Sequence, residues 1–321
     1  MYIVPEKLIS ELISLKTSYS AVEDVFSAMA KKKAYNFPVI RESIGYSNAL
    51  FGFKSGFDKE GLSLGLKAGG YWPENESMGI PNHQSTIFLF DANTGKISAI
   101  VGGNLLTAFR TAAASSISIN HLARQDSKVL GMIGAGYQSA FQMQAAARQR
   151  GFEKILGWNH HPEMISRLEQ TAEELGILYE TVSLERLGAE SDVIITITSS
   201  FSAILKSCQV KPGTHIACMG TDTKGKQEVG SDLVARASLF TDEMEQSITI
   251  GEAQHAFNSG LISKENIIEI GSVINGTHPG RKSEKEITMF DGTGVGLQDL
   301  AVAGRVVTEA VERGLVINVE F

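Results

Sequence analysis

Residues 128–140 read Lys128-Val129-Leu130-Gly131-Met132-Ile133-Gly134-Ala135-Gly136-Tyr137-Gln138-Ser139-Ala140. The apolar run Val129–Ile133 predicts a buried strand, the break at Gly134-Ala135-Gly136 predicts a turn, and a helical pattern opens near Gln138. In such a strand–turn–helix, a dinucleotide pyrophosphate rests on the helix N-terminus. Gly134 permits the tight turn, Gly136 lets backbone amides approach the phosphates, and the helix dipole favours the anion. Ser139 takes the place of the usual third glycine, and its small side chain still allows close helix–strand packing. A bare Gly-x-Gly is also an ordinary turn. Its setting between strand and helix favours a nicotinamide nucleotide.

The end of the next strand decides which nucleotide. It should lie about 20 residues further on and present an acid to the ribose hydroxyls, or an Arg to a 2′-phosphate. Here it reads Ile155-Leu156-Gly157-Trp158-Asn159-His160-His161. Asn159 offers a ribose an uncharged hydrogen bond, no Arg or Lys follows directly, and the two histidines are mostly neutral near pH 7. NAD (as NADH) is therefore favoured over NADP. The adjacent histidines diverge and have no evident carboxylate partner, so no metal is expected.

Around this unit the chain has two styles. After Ser127, strands are expected at Val129–Ile133, 155–159, Val193–Thr196, His215–Cys218 and 239–241, with helical or irregular stretches between them. That alternation argues for a doubly wound parallel sheet of the α/β class. Before it, residues 5–33 read as two helices, with short strands expected at 49–53 and 63–67 and another at 84–90. Asp91-Ala92-Asn93-Thr94-Gly95 is a turn signal, and 97–101 returns as the second arm of a hairpin. The small-residue stretch 107–122 and the tail 298–314 read as helices.

Composition narrows the function class. The chain has 321 residues, enough for two modest domains, and its formal charge of −7 argues for solubility and against nucleic acid. The basic run Lys31-Lys32-Lys33 reads as a solvated helix end. Cys208 and Cys218 offer neither metal spacing nor a disulfide framework, which fits a reducing compartment. No apolar run approaches membrane length, and Glu6 and Lys7 argue against a signal peptide, so a cytoplasmic protein is expected.

Three Gly-rich segments gather polar groups: Gly65-Leu66-Lys67-Ala68-Gly69-Gly70, Gly79-Ile80-Pro81-Asn82-His83-Gln84, and Gly220-Thr221-Asp222-Thr223-Lys224-Gly225-Lys226-Gln227-Glu228. Asp222 falls at the C-terminal end of an expected sheet strand, where open α/β sheets place ligands. Read alone, Asp222 is a turn residue, Lys67 a surface lysine and Arg110 a helix-surface arginine. Arg110 fits that role poorly, because its helix is rich in Ala and Ser on both faces. A buried Arg needs an anionic partner.

In combination these segments resemble the ornithine cyclodeaminase/μ-crystallin family. The resemblance adds Thr107-Ala108-Phe109-Arg110-Thr111 to Ser115, Asp242-x-x-x-Gln246 with Gly251-Glu252, His278-Pro279-Gly280-Arg281, and Gly294-x-Gly296-x-Gln298-Asp299-Leu300-Ala301. It implies a Rossmann domain, 120–297, inserted into a discontinuous α+β substrate and dimerisation domain, 1–119 and 298–321, and a homodimer. It also implies that Lys67 and Arg110 hold a substrate carboxylate, joined by Arg41. Asp222 then faces the reacting carbon and nitrogen and handles the proton, with Lys67 beside it as a catalytic group.

Family members are cyclodeaminases, imine or ketimine reductases, alanine-type dehydrogenases and crystallin-like binding proteins. The segment 67–74 with 79–84 is most similar to the bacterial iminosuccinate-reducing members, which implies an NADH-dependent reduction of a small α-imino acid. A C4 dicarboxylate needs a second anchor, for which His83, Gln84 and Arg41 are candidates. Contacts to the cofactor are expected from Arg110, Thr111, Gly134, Ala135, Gly136, Tyr137, Gln138, Ser139, Asn159, His160, Thr198, Met219, Gly220, Asp222, Asp291 and Gly292.

Overall fold

In the computed structural model, which describes residues 1–320 apart from the side chain at position 76, Val129–Ile133 is a strand and Ser139–Ala146 a helix. The chain divides into two compact units, Met1–Arg110 with Val295–Phe321, and Thr111–Gly294. Among the described residues, no helix is long and apolar enough to cross a membrane.

The second unit is built on a parallel sheet. Its strands lie in the order Leu178–Thr181, Lys154–Trp158, Val129–Ile133, Val193–Thr196, His215–Cys218, Thr288–Asp291, Ser238–Thr241, Ile267–Glu269. Every pairing along that order is parallel. The central strands are buried throughout and apolar on both sides, as a sheet covered on two faces requires. Chain order reverses between Val129–Ile133 and Val193–Thr196, so the glycine turn at 134 opens at a topological switch point. The expected strand at 155–159 begins one residue earlier. Three strands escape the sequence reading: half-exposed Leu178–Thr181, the three-residue Ile267–Glu269, and Thr288–Asp291, which runs straight into Gly292.

The first unit carries a second, largely antiparallel sheet in the order Ile317–Asn318, Tyr2–Val4, Ile97–Gly102, His83–Asp91, Ser63–Tyr71, Leu50–Asp58, Ala34–Asn36, with Ile40–Ser43 also paired to Leu50–Asp58. The hairpin at 91–95 forms as expected: Asp91 Oδ1 accepts from the amides of Asn93 and Thr94, and Gly95 takes φ 71°. The expected short strands at 49–53 and 63–67 are corrected. Each is nine residues long, because Leu50–Asp58 and Ser63–Tyr71 pair along their whole length.

The helix Gly296–Glu312 lies across these two strands. Its approach is set by Gly56 and Gly65, directly paired, where an added Cβ would come within 2.9 Å of Leu297 and 2.8 Å of Leu300. One face of the sheet therefore carries Lys54, Gly56, Gly65 and Lys67 toward that helix. The opposite face carries Phe53, Phe57, Leu64 and Leu66.

Candidate functional site

Two separate groups of side chains make up the candidate site, one in each unit. In the second unit, Gly134 takes φ 112°, a conformation L side chains rarely adopt, and a Cβ there would lie 2.5 Å from the Ile197 carbonyl. Gly136 differs: an added Cβ would meet nothing within 4 Å. The turn thus has a wall behind Gly134 and open space at Gly136. The helix Ser139–Ala146 starts with no side-chain cap, and Gln138 Oε1 is buried without a hydrogen-bond partner. Uncapped first-turn amides, open backbone and an unused amide oxygen fit a dinucleotide's phosphates and hydroxyls. Asn159 closes the turn from the second strand, accepting from Ala135 N (3.1 Å) and donating to His161 O (2.8 Å). Tyr137 and His160 are exposed beside it.

Behind the loops at the same sheet edge lie buried carboxylates to which the sequence reading gave no role. Glu228 accepts from Thr196 Oγ1, from the Thr198 amide and hydroxyl, and from Gly220 N, at 2.6–2.9 Å. Glu252 accepts from the amides of Glu228 and Val229 and from Thr221 Oγ1. One carboxylate thereby ties Thr198 to Gly220, and the next ties that clip to Thr221, so the loop bearing Asp222 is held on both sides. Burial, and then the neighbouring charge of Glu228, push the Glu252 carboxyl up to about 8. Asp222 is half-buried and bridged by Lys226, whose ammonium donates to Asp222 Oδ1 (2.9 Å) and Gly220 O (3.1 Å). Met219 packs on Gly292, where a Cβ would lie 2.6 Å from its sulfur. Asp291 faces inward, accepting from Ser247 Oγ and Ala253 N, and burial pushes it up to about 7.

The second group lies wholly in the first unit. Arg110 is buried, and its partner is Asp299, which is fully buried. Arg110 Nε donates to Asp299 Oδ1 (3.1 Å) and Nη1 to Gln298 Oε1 (3.2 Å). Lys67 Nζ bridges both oxygens of the same carboxylate, at 2.9 and 2.8 Å. The helix Gly296–Glu312 places Asp299 in its first turn, the favoured position for an acid. Two cations then share one anion. Burial lowers the Lys67 ammonium to about 7, against the raising pull of Asp299.

Arg41 is half-buried on the same sheet face, paired across Gly52. His83 pairs across Tyr71 at the far end of that sheet. Gln84 is engaged locally, donating to Pro81 O (2.8 Å) and accepting from Asn104 (3.1 Å). Thr111 follows Arg110 on the helix Asn104–Leu122 and is buried. The anionic partner demanded for Arg110 was thus present in the sequence, 189 residues away. Its signal was an acid opening an otherwise apolar-faced helix.

Comparison with known proteins places this geometry. A family model described as the ornithine cyclodeaminase/mu-crystallin family matches residues 5–314. The chain is 60% identical over 321 residues, all of both chains, to the iminosuccinate reductase of Paracoccus denitrificans (strain Pd 1222). The crystal structure of the Paracoccus denitrificans iminosuccinate reductase in complex with NAD+ superposes with a TM-score of 0.96, covering 100% of this chain and 99% of that one. An archaeal alanine dehydrogenase dimer with bound NAD is 30% identical with a TM-score of 0.94, covering 100% and 99%. Thermococcus litoralis Δ1-pyrroline-2-carboxylate reductase, in complex with NADH and L-proline, is 29% identical with a TM-score of 0.94, covering 99% and 100%.

Proposed function

This chain belongs to the ornithine cyclodeaminase/mu-crystallin family, and from that premise we propose that it reduces iminosuccinate to L-aspartate with NADH. The observation that carries the proposal is the 60% identity to an iminosuccinate reductase along the whole of both chains. Bound at the Gly134–Ser139 turn, NADH supplies a hydride to the carbon of the C=N group. Lys67 and Arg110 clamp the carboxylate next to that carbon, Arg110 as a planar fork and Lys67 as a point charge. Asp222, fixed by Lys226, exchanges the proton on nitrogen, so that hydride and proton together turn imine into amine. The cations at the substrate end suit a carboxylate-rich imine and repel the distal ammonium of an ornithine.

The test is NADH oxidation with oxaloacetate plus ammonia, which generate iminosuccinate, against pyruvate plus ammonia, cyclic imino acids and ornithine. Aspartate formed at the expense of NADH, faster than with NADPH, is the expected result. Preference for pyruvate would make the chain an alanine dehydrogenase. Ammonia released from ornithine without net NADH change would make it a cyclodeaminase.

The working form we propose is a homodimer in the cytoplasm. Free Cys208 and Cys218 suit a reducing compartment. On the sheet face away from the helix Gly296–Glu312, exposed Ile40 and Phe53 are directly paired, with Tyr35, Phe57, Leu66 and Phe88 beside them. Monomers rarely leave such a continuous apolar face in water, and the related alanine dehydrogenase is a dimer, so a second copy is the occupant proposed. Sedimentation should give twice the chain mass, and Phe53→Glu should halve it. A monomeric wild type would refute the dimer.

A further inference from the structure

Lys54 is the one buried lysine of the substrate-side sheet face that the family motifs do not include. It sits in the strand Leu50–Asp58, directly opposite Lys67 across the antiparallel pair. Such cross-strand neighbours have Cβ atoms about 4.5–5.5 Å apart, so the two stems rise side by side. Along both strands the flanking positions on this face are glycines, Gly52 and Gly56 beside Lys54, Gly65 and Gly69 beside Lys67. The lysines therefore stand in a shallow lane free of other side chains from their own strands. Asp299 feels both lysines and Arg110, and all three cations pull its carboxyl below the ordinary range.

The charge count sets the argument. Lys54, Lys67 and Arg110 together face the single carboxylate of Asp299. Burying cations in excess of their partners is costly, and folds retain such an excess where an anion is to arrive. When Lys67 is protonated, the excess is two positive charges, the charge of a dicarboxylate dianion. One carboxylate of iminosuccinate takes Arg110 and Lys67, as proposed above. The other lies a short carbon chain away and needs a cation alongside Lys67.

Resting on the iminosuccinate reading, we propose that Lys54 binds the distal carboxylate of the substrate and sets the preference for a dicarboxylate over a monocarboxylate imine. Lys54→Met keeps the length of the side chain and removes its charge. With NADH, it should lower kcat/KM for oxaloacetate plus ammonia by about a hundredfold, the size expected when a desolvated ion pair loses one partner. Turnover of pyruvate plus ammonia should stay within about threefold of wild type. Lys54→Arg should keep the preference for the dicarboxylate. Inhibition supplies a readout independent of turnover: succinate should inhibit wild type more strongly than propionate, and Lys54→Met should erase that difference while NADH still binds by fluorescence titration.

Equal losses on both imines, or an unchanged succinate-to-propionate ratio, would overturn the assignment of Lys54 while leaving the proposed reaction standing. A wild type that oxidises no NADH with oxaloacetate plus ammonia would overturn both.

Discussion

At the scale of residues, the substrate end of the site turns on how one buried carboxylate, Asp299, is shared. Its two bonded partners behave differently on titration. Arg110 stays charged at any working pH, whereas burial brings Lys67 down to about 7. Lys67 is therefore a full cation below that value and loses its charge as pH rises through it. Anion binding follows the same sign. The inhibition constant of succinate should be flat at acid pH and rise above about pH 7 toward tenfold per pH unit, since each unit of free lysine withheld is about 1.4 kcal/mol. In Lys67→Met the constant should be weak throughout and nearly independent of pH. Succinate is the better probe because imine formation from oxaloacetate and ammonia carries its own pH dependence. A wild-type constant that stayed level from about pH 6 to about pH 9 would show that Lys67 does not hold the carboxylate.

Among elements, the glycine turn separates structural from functional need. Gly134→Ala meets a positive φ and the Ile197 carbonyl, so it should lower stability by about 1–2 kcal/mol or more and weaken NADH binding together with it. Gly136→Ala meets no protein atom within 4 Å. It should leave the melting temperature nearly unchanged and still weaken NADH about tenfold or more, because the methyl would occupy space a phosphate needs. Equal NADH affinity in Gly136→Ala and wild type would remove the pyrophosphate from this turn. That element was legible because strand, turn and helix are consecutive and each carries its own local signal.

The elements that were misread depend on partners distant in sequence. Residues 49–53 and 63–67 looked like short strands because glycines and lysines dilute the alternation beyond them. Those same residues are the pairing Lys54–Lys67 and Gly56–Gly65, readable as one buried face only once the two strands are in register. Glu228 and Glu252 stood in recognised motifs, but their role as loop clips exists only after 196–198, 220–221 and 228–229 come together. Local chemistry can be read along a chain; shared partners cannot.

For the molecule as a whole, the buried carboxylates of the second unit make stability depend on pH in a direction opposite to that of surface ion pairs. Glu252 is pushed from its ordinary 4.5 up to about 8, first by burial and then by the charge of Glu228. A carboxyl raised on folding binds a proton in the native state that the unfolded chain releases. Its contribution is full below about 4.5 and is lost as pH rises through about 8, at up to about 1.4 kcal/mol per pH unit between those limits. Lys67 works the other way above pH 7, since the unfolded lysine holds a proton that the folded one gives up. The effect of Glu252 is therefore isolated by comparing two proteins.

Glu252→Gln mimics the protonated form. Its carbonyl can accept from the amides of Glu228 and Val229, and its amine can donate to Thr221 Oγ1. The variant should fold with stability close to wild type near pH 5.5 and become the more stable of the two by about 1–3 kcal/mol near pH 8.5 in urea titrations. Glu252→Ala, which strands both amides and the hydroxyl, should be destabilised at every pH. If the urea midpoints of wild type and Glu252→Gln ran parallel from acid to alkaline pH, Glu252 would be ionised in the fold throughout, and the clip that holds the Asp222 loop would be a pair of charged carboxylates.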